Sequence, residues 1–181
     1  MIQQILVPVY LGNTSEEAVN HSLKLAQMFH GRVRFLFPVD PALRHYLSLN
    51  GYPAAGPAPD PQGVEESAHY LAKEALDHAL ELARQAGVGA EVEWVEREPT
   101  QAILEACVSL RESSEACVSL GKSNLAAPKC DLVVMGERVF PHLSRKDLDA
   151  LAATLSEQQI PMLLIQPASK QYSSAAWGLA L

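Results

Sequence analysis

Two spacings of apolar residues alternate along the chain. Short unbroken runs mark strands, and recurrences every three or four positions mark helices. "QQILVPV" (3–9) is the first such run and reads as a strand. Behind it Thr14 and Glu17 form a capping-box pair, with Ala18, Ser22, Leu25, Ala26 and Phe29 on one helical face. Gly31 stands where a helix C-terminal glycine belongs, and "RVRFLFPV" (32–39) is the second strand. From Val64 the helical spacing returns through Ala68, Leu71, Ala75, Ala79 and Leu82 and stops at Gly87. "AEVEWVE" (90–96) alternates as a strand does, and Pro99 and Thr100 open a helix carrying Ile103, Leu104, Cys107 and Val108. "CDLVVMG" (130–136) is nearly continuous in apolar residues, as a parallel strand covered on both faces should be. Ser144 and Asp147 are placed to cap a last helix with Leu148, Leu151, Ala152 and Leu155, and "IPMLLIQP" (160–167) is the final strand.

This β-α-β-α-β-α-β-α-β order predicts an α/β fold, an open, doubly wound five-stranded parallel sheet with helices on both faces. A single domain is expected over 1–167. Within it, 38–63 holds six prolines and three glycines, which predicts a long loop with a helical turn around Ala42–Leu49. A second irregularity is an expansion over 109–129. "EACVSL" stands at 105–110 and again at 115–120. Ten residues leave a helix about 80° short of three full turns, so the two copies cannot present one core face. The first copy is expected in a core helix and the second in a surface extension. Residues 168–181 form a tail ending in an apolar cluster with Trp177.

Composition narrows the setting. With 181 residues, 48% hydrophobic and 19% charged, the chain suits one soluble globular core. No apolar run is long enough to span a bilayer, and "MIQQILVPV" lacks the features of a secretory signal. A net charge of −7 and a pI near 5.3 argue against nucleic acid or an anionic membrane as partner. Neither the three cysteines nor the six histidines show metal-ligand spacing, so no metal is expected. The expected location is the cytoplasm.

In an open sheet of this kind a ligand sits beyond the carboxyl ends of the strands, where the strand order reverses. For the order 3-2-1-4-5 that point lies between the first and fourth strands. The candidate crevice residues are Val9, Tyr10 and Leu11, then Val39 after the second strand, and Met135 and Gly136 at the end of the fourth. Arg138, Ser144 and Arg145 follow in the next loop.

The set "ILVPV", "EPTQAILEA", "DLVVMG" and "IPMLLIQP", in this order and spacing, resembles the universal stress protein family. The resemblance covers most of residues 2–167, apart from the proline-rich segment and the 109–129 expansion. It implies a doubly wound fold, usually dimeric, with a stress-associated or regulatory role and mostly no catalysis. Family members that bind ATP carry an Asp at the end of the first strand and a G-x2-G-x9-G-S/T loop after the fourth. Here Tyr10 stands at the Asp position, and Gly136 matches the first glycine. Val139 stands at the second. Asp149-Ala150, or Leu148-Asp149 when counted back from Pro161, replaces the final pair.

The chemistry points the same way. A β-branched Val139 is strained at positive φ, and Pro141 has no amide hydrogen to offer a phosphate. A carboxylate at Asp149 repels a triphosphate. ATP binding in the usual family manner is therefore not expected, and no cofactor is assigned; AMP or ATP in an altered loop is the alternative. Arg138, Arg145 and Lys146 with Ser144 could hold a smaller anion, but solvated cations around a simple helix cap are the favoured reading. His142, beside the crevice, is a candidate for proton transfer or a pH-sensitive contact. Tyr10 and Tyr52 could line the crevice mouth, with core filling favoured for an aromatic at a strand end. No catalytic constellation is assembled. The last strand should form a bare apolar edge, and the resemblance implies a homodimer through Met162, Leu163, Leu164 and Ile165.

Overall fold

The computed structural model describes residues 2–11, 14–50, 61–107 and 130–166. Five strands form one parallel sheet: β1 (Gln4–Pro8), β2 (Arg32–Pro38), β3 (Ala90–Val95), β4 (Leu132–Gly136) and β5 (Met162–Ile165). Their order is β3-β2-β1-β4-β5, as the sequence predicts. Burial follows position in the sheet. All of β4 and the last four residues of β1 are buried, whereas the edge strands β3 and β5 are partly exposed along their length. Continuous apolar runs thus lie in the centre, covered on both faces.

Helices α1 (Thr14–Phe29) and α3 (Pro61–Gln85) cover one face of the sheet, and α4 (Pro99–Cys107) and α5 (Arg145–Glu157) cover the other. The buried side of α1 is Ala18, Val19, Ser22, Leu23 and Ala26. Phe29, expected on that side, is 38% exposed. It sits at the end of the helix, where the chain turns away to enter β2. The side chain of Thr14, expected in a capping box, lies outside the described residues, as does Val108. The left-handed residue closing α1 is His30 (φ 54°) rather than Gly31. Gly31 serves a different need, because a Cβ there would lie 3.1 Å from the Gln3 carbonyl oxygen and 3.3 Å from that of Ile2. At the end of α3, Gly87 (φ 66°) takes the expected left-handed position.

The proline-rich stretch holds more helix than expected. The turn expected around Ala42–Leu49 is a ten-residue helix, α2 (Pro41–Asn50), and α3 begins at Pro61 rather than near Val64. Both helices open on a proline at the first helical position, where its missing N–H and fixed φ are suited rather than disruptive. Asp40 caps α2, its Oδ1 accepting the Leu43 N–H at 2.7 Å. Residues 51–60, Tyr52 among them, lie outside the described residues. So do 108–129, with the second "EACVSL", and 167–181, with the tail.

Helix α3 buries Ala68, Ala72, Leu76, Ala79 and Ala83 against the sheet. The stripe read from the sequence is rotated from this line by part of a turn. Leu71, Ala75 and Leu82 are only half-buried and flank an opening between helices. No helix among the described residues is long and apolar enough to cross a membrane.

Cys107, in the last turn of α4, and Cys130, just before β4, are buried free thiols. A hydrogen bond with the Cys130 thiol, followed by burial, pushes Cys107 well above the ordinary thiol range. Cys107 is thereby held as a neutral thiol, a poor nucleophile, and both sulfurs are shut away from solvent by burial. In the native protein at neutral pH, Cys107 and Cys130 should resist iodoacetamide, and both should react once guanidinium unfolds the chain. Peptide mapping by mass spectrometry reads this directly, and rapid native labelling of either would contradict their placement.

Candidate functional site

The end of β1 runs into a tight turn held by the first turn of α1. The buried Ser15 hydroxyl accepts the Tyr10 N–H (2.9 Å) and donates to the Tyr10 carbonyl (3.1 Å). This clasp fixes the Tyr10 backbone, and the ring reaches toward the end of β2 and the loop after β4. There it stacks on Phe37 (centroids 5.4 Å apart, 19° between planes) and meets the edge of Phe140 (5.1 Å, 66°). Tyr10 is 8% exposed, and Val139 and Phe140 are buried beside it. Aromatic side chains of the protein itself thus occupy part of the space beyond the ends of β1 and β4.

A buried charge organises this filling. Asp40, fully buried at the end of β2, accepts the Tyr10 hydroxyl at 3.2 Å on the same Oδ1 that caps α2. Burial first, and then the Asp40 charge, push the Tyr10 phenol far above its ordinary range, so it remains a donor. Oδ2 has no aligned hydrogen bond. The Nε2 of His142 lies 3.0 Å from it, too oblique for a good bond, and the contact is ionic when His142 is protonated. His142 thus meets a carboxylate partner from the end of β2, which sequence spacing alone did not reveal.

The loop after β4 spends its amides internally. The Glu137 N–H donates to Ile165, that of Val139 to Gly136, and that of Leu143 to Phe140. The Ser144 N–H donates to the Asp147 carboxylate at 2.8 Å in a complete capping box. Asp147 is held below the usual carboxylate range, mainly by the Ser144 side chain. Arg145 is engaged by Glu137 (2.8 Å) and Asp149 (3.2 Å). The cap reading of Ser144 matches this geometry. Of the crevice candidates, Val39, Met135 and Gly136 are buried, and Arg138 is exposed.

Val9, Tyr10 and Leu11 do face open space, but on the helical side of the plug. A cavity of about 950 Å³ lies between α1, α2 and α3. Val19 of α1, Leu43 and Tyr46 of α2, and Leu71, Ala75 and Leu82 of α3 give it apolar walls. His142 and Pro141 close it at the loop, and Glu16, Glu74 and His78 stand at its rim. Helix α2 makes one wall, and a turn expected around Ala42–Leu49 did not by itself reveal this cavity.

A second cluster ties α2 and α3 to the end of β3. Arg44 donates to both oxygens of Glu65 (2.8 and 2.9 Å) and to Glu96 (2.9 Å). These bonds hold Glu65 below the usual carboxylate range. His69 joins them, 3.0 Å from Glu65 and with its ring centroid 4.5 Å from that of Trp94. One ligand atom from each of Glu65, His69 and Glu96 lies within 4.8 Å of the others. A metal there would displace Arg44 from both carboxylates. The i,i+4 spacing of Glu65 and His69 was the available sequence signal for this grouping.

The sequence matches the universal stress protein family over residues 1–111, and the chain belongs to that family. Solved structures share the fold at low identity. A universal stress family protein from Burkholderia pseudomallei is 20% identical with a TM-score of 0.57, covering 92% of this chain and 96% of its own. An Arabidopsis thaliana family protein with AMP bound is 14% identical (TM-score 0.56, covering 92% and 93%). A universal stress protein in complex with cAMP is 15% identical (0.54, covering 93% and 98%). No curated protein matches the sequence.

Tyr10→Phe keeps the ring packing and removes one donor from a buried carboxylate. It should cost about 1–3 kcal/mol in urea unfolding, and a loss under about 0.5 kcal/mol would show that the phenol–Asp40 bond contributes little.

Proposed function

We propose that this is a universal-stress-type regulatory protein of the cytoplasm that acts without catalysis and does not bind ATP in the usual family manner. It works as a dimer, through protein contacts or a small ligand that is not a triphosphate. The observation that carries this reading is the Tyr10 ring, packed on Phe37 and Phe140 where the family's ATP binders have an Asp. The loop beyond β4 supports it, because the Glu137, Val139, Leu143 and Ser144 amides bond within the chain and Pro141 has none.

The rival reading is a sensor for AMP or another nucleotide held by the altered loop. Relatives of the same fold solved with AMP and with cAMP favour it. For dimer formation the support is the edge position of β5, with Leu163 40% exposed beside half-buried Met162, Leu164 and Ile165. An apolar edge with free backbone groups suits pairing with a second copy.

Titration calorimetry of the purified, nucleotide-free protein with ATP and magnesium, and with AMP, should show no saturable binding up to about millimolar ligand. Stoichiometric AMP or ATP binding would favour the rival. In sedimentation velocity at micromolar concentration, the protein should run as a dimer and Leu163→Lys as a monomer. A variant that stays dimeric would place the interface elsewhere.

A further inference from the structure

The cavity between α1, α2 and α3 carries a charge pattern that selects a ligand. Its walls are apolar, its rim bears the Glu16 and Glu74 carboxylates, and no lysine or arginine lines it among the described residues. Its volume of about 950 Å³ is ample for a small molecule with a ring or an alkyl chain. One polar atom nearby is incompletely satisfied. Asp40 is fully buried, its Oδ1 is used by Tyr10 and Leu43, and its Oδ2 lacks an aligned donor. Among the described residues, the His142 ring stands against Oδ2, and His142 itself lines the cavity with its side chain 30% exposed.

Buried carboxylates gain strongly from a well-placed cationic donor. His142 supplies one obliquely, from a loop at the cavity mouth. We propose that this cavity binds hydrophobic amines: the apolar body lies between Val19, Leu43, Leu71 and Ala75, and the ammonium replaces His142 against Asp40 Oδ2. An ammonium brings several donors on a compact head and can align where the imidazole cannot. Acidic ligands are turned away by the same carboxylates. This deepens the reading of the protein as a carrier of a small ligand that is not a triphosphate, and rests on it only in that respect.

A matched series tests the charge requirement. Tryptamine, tryptophol and indole-3-propionate share an indole body and differ in the head group. By calorimetry on the full chain, tryptamine should bind saturably and about tenfold or more tighter than tryptophol, with indole-3-propionate weakest. Asp40→Asn keeps an oxygen to cap α2, and should reduce tryptamine to the affinity of tryptophol. His142→Ala should tighten tryptamine, and Ala75→Trp should block the amine and the alcohol alike. The wild-type series stands by itself if a variant does not fold. Equal affinity for tryptamine and tryptophol, or no saturable tryptamine binding, overturns the proposal. ATP titrated into the same samples keeps the two readings apart: ATP binding would sink the closed-crevice reading, and absence of tryptamine binding would sink this one alone.

Discussion

A carboxylate with no access to water must find its partners inside the protein, and Asp40 determines much of what surrounds it. One oxygen starts α2 by accepting the Leu43 amide, and it also receives the Tyr10 phenol from the end of β1. Across from these, the loop after β4 brings His142 to the second oxygen. Three segments far apart in sequence therefore converge on one side chain. Tyr10 then packs on Phe37 and Phe140 at the carboxyl edge of the sheet. Removing the charge would free the tyrosine, the helix cap and the loop from a shared anchor.

The sheet was legible because its evidence is local. Runs such as "ILVPV" and "DLVVMG" must be buried on both faces, and the order of elements leaves few ways to wind them. The capping box at Ser144 and Asp147 was equally plain, since four residues hold the whole signal. What stayed hidden depends on partners distant in sequence. Asp40 with Tyr10 spans thirty positions, and Asp40 with His142 about a hundred. Helix α2 was legible only as a turn around Ala42–Leu49 for a different reason: prolines at 41 and 61 begin helices there, although their density reads as loop. Spacing alone also rotated the α3 stripe, because half-buried Leu71 and Ala75 face a space that α2 helps to wall.

Kinship and site are separate matters here. Relatives solved with AMP and cAMP share the winding of this chain at 14% and 15% identity, which speaks to architecture alone. The same scaffold can fill its switch-point crevice with tyrosine and phenylalanine and open a different space one layer away. Arg44 helps hold that space open, fastening α2 to Glu65 of α3 and to Glu96 after β3. A wall built by α2 needs such a fastening, since α2 touches the sheet little.

The neighbouring thiols of Cys107 and Cys130 have a bearing on how this chain could grow. They bring both ends of the 108–129 connection together at one corner of the sheet, and Asp131 secures the second end by accepting the Gln3 and Gln4 amides. For a chain joining two fixed points, the entropy of closure rises only with the logarithm of its length. Lengthening a connection of about a dozen residues by ten adds about 0.5 kcal/mol. A corner so pinned tolerates a duplicated segment at small thermodynamic cost, and the doubled "EACVSL" is what such tolerance leaves behind.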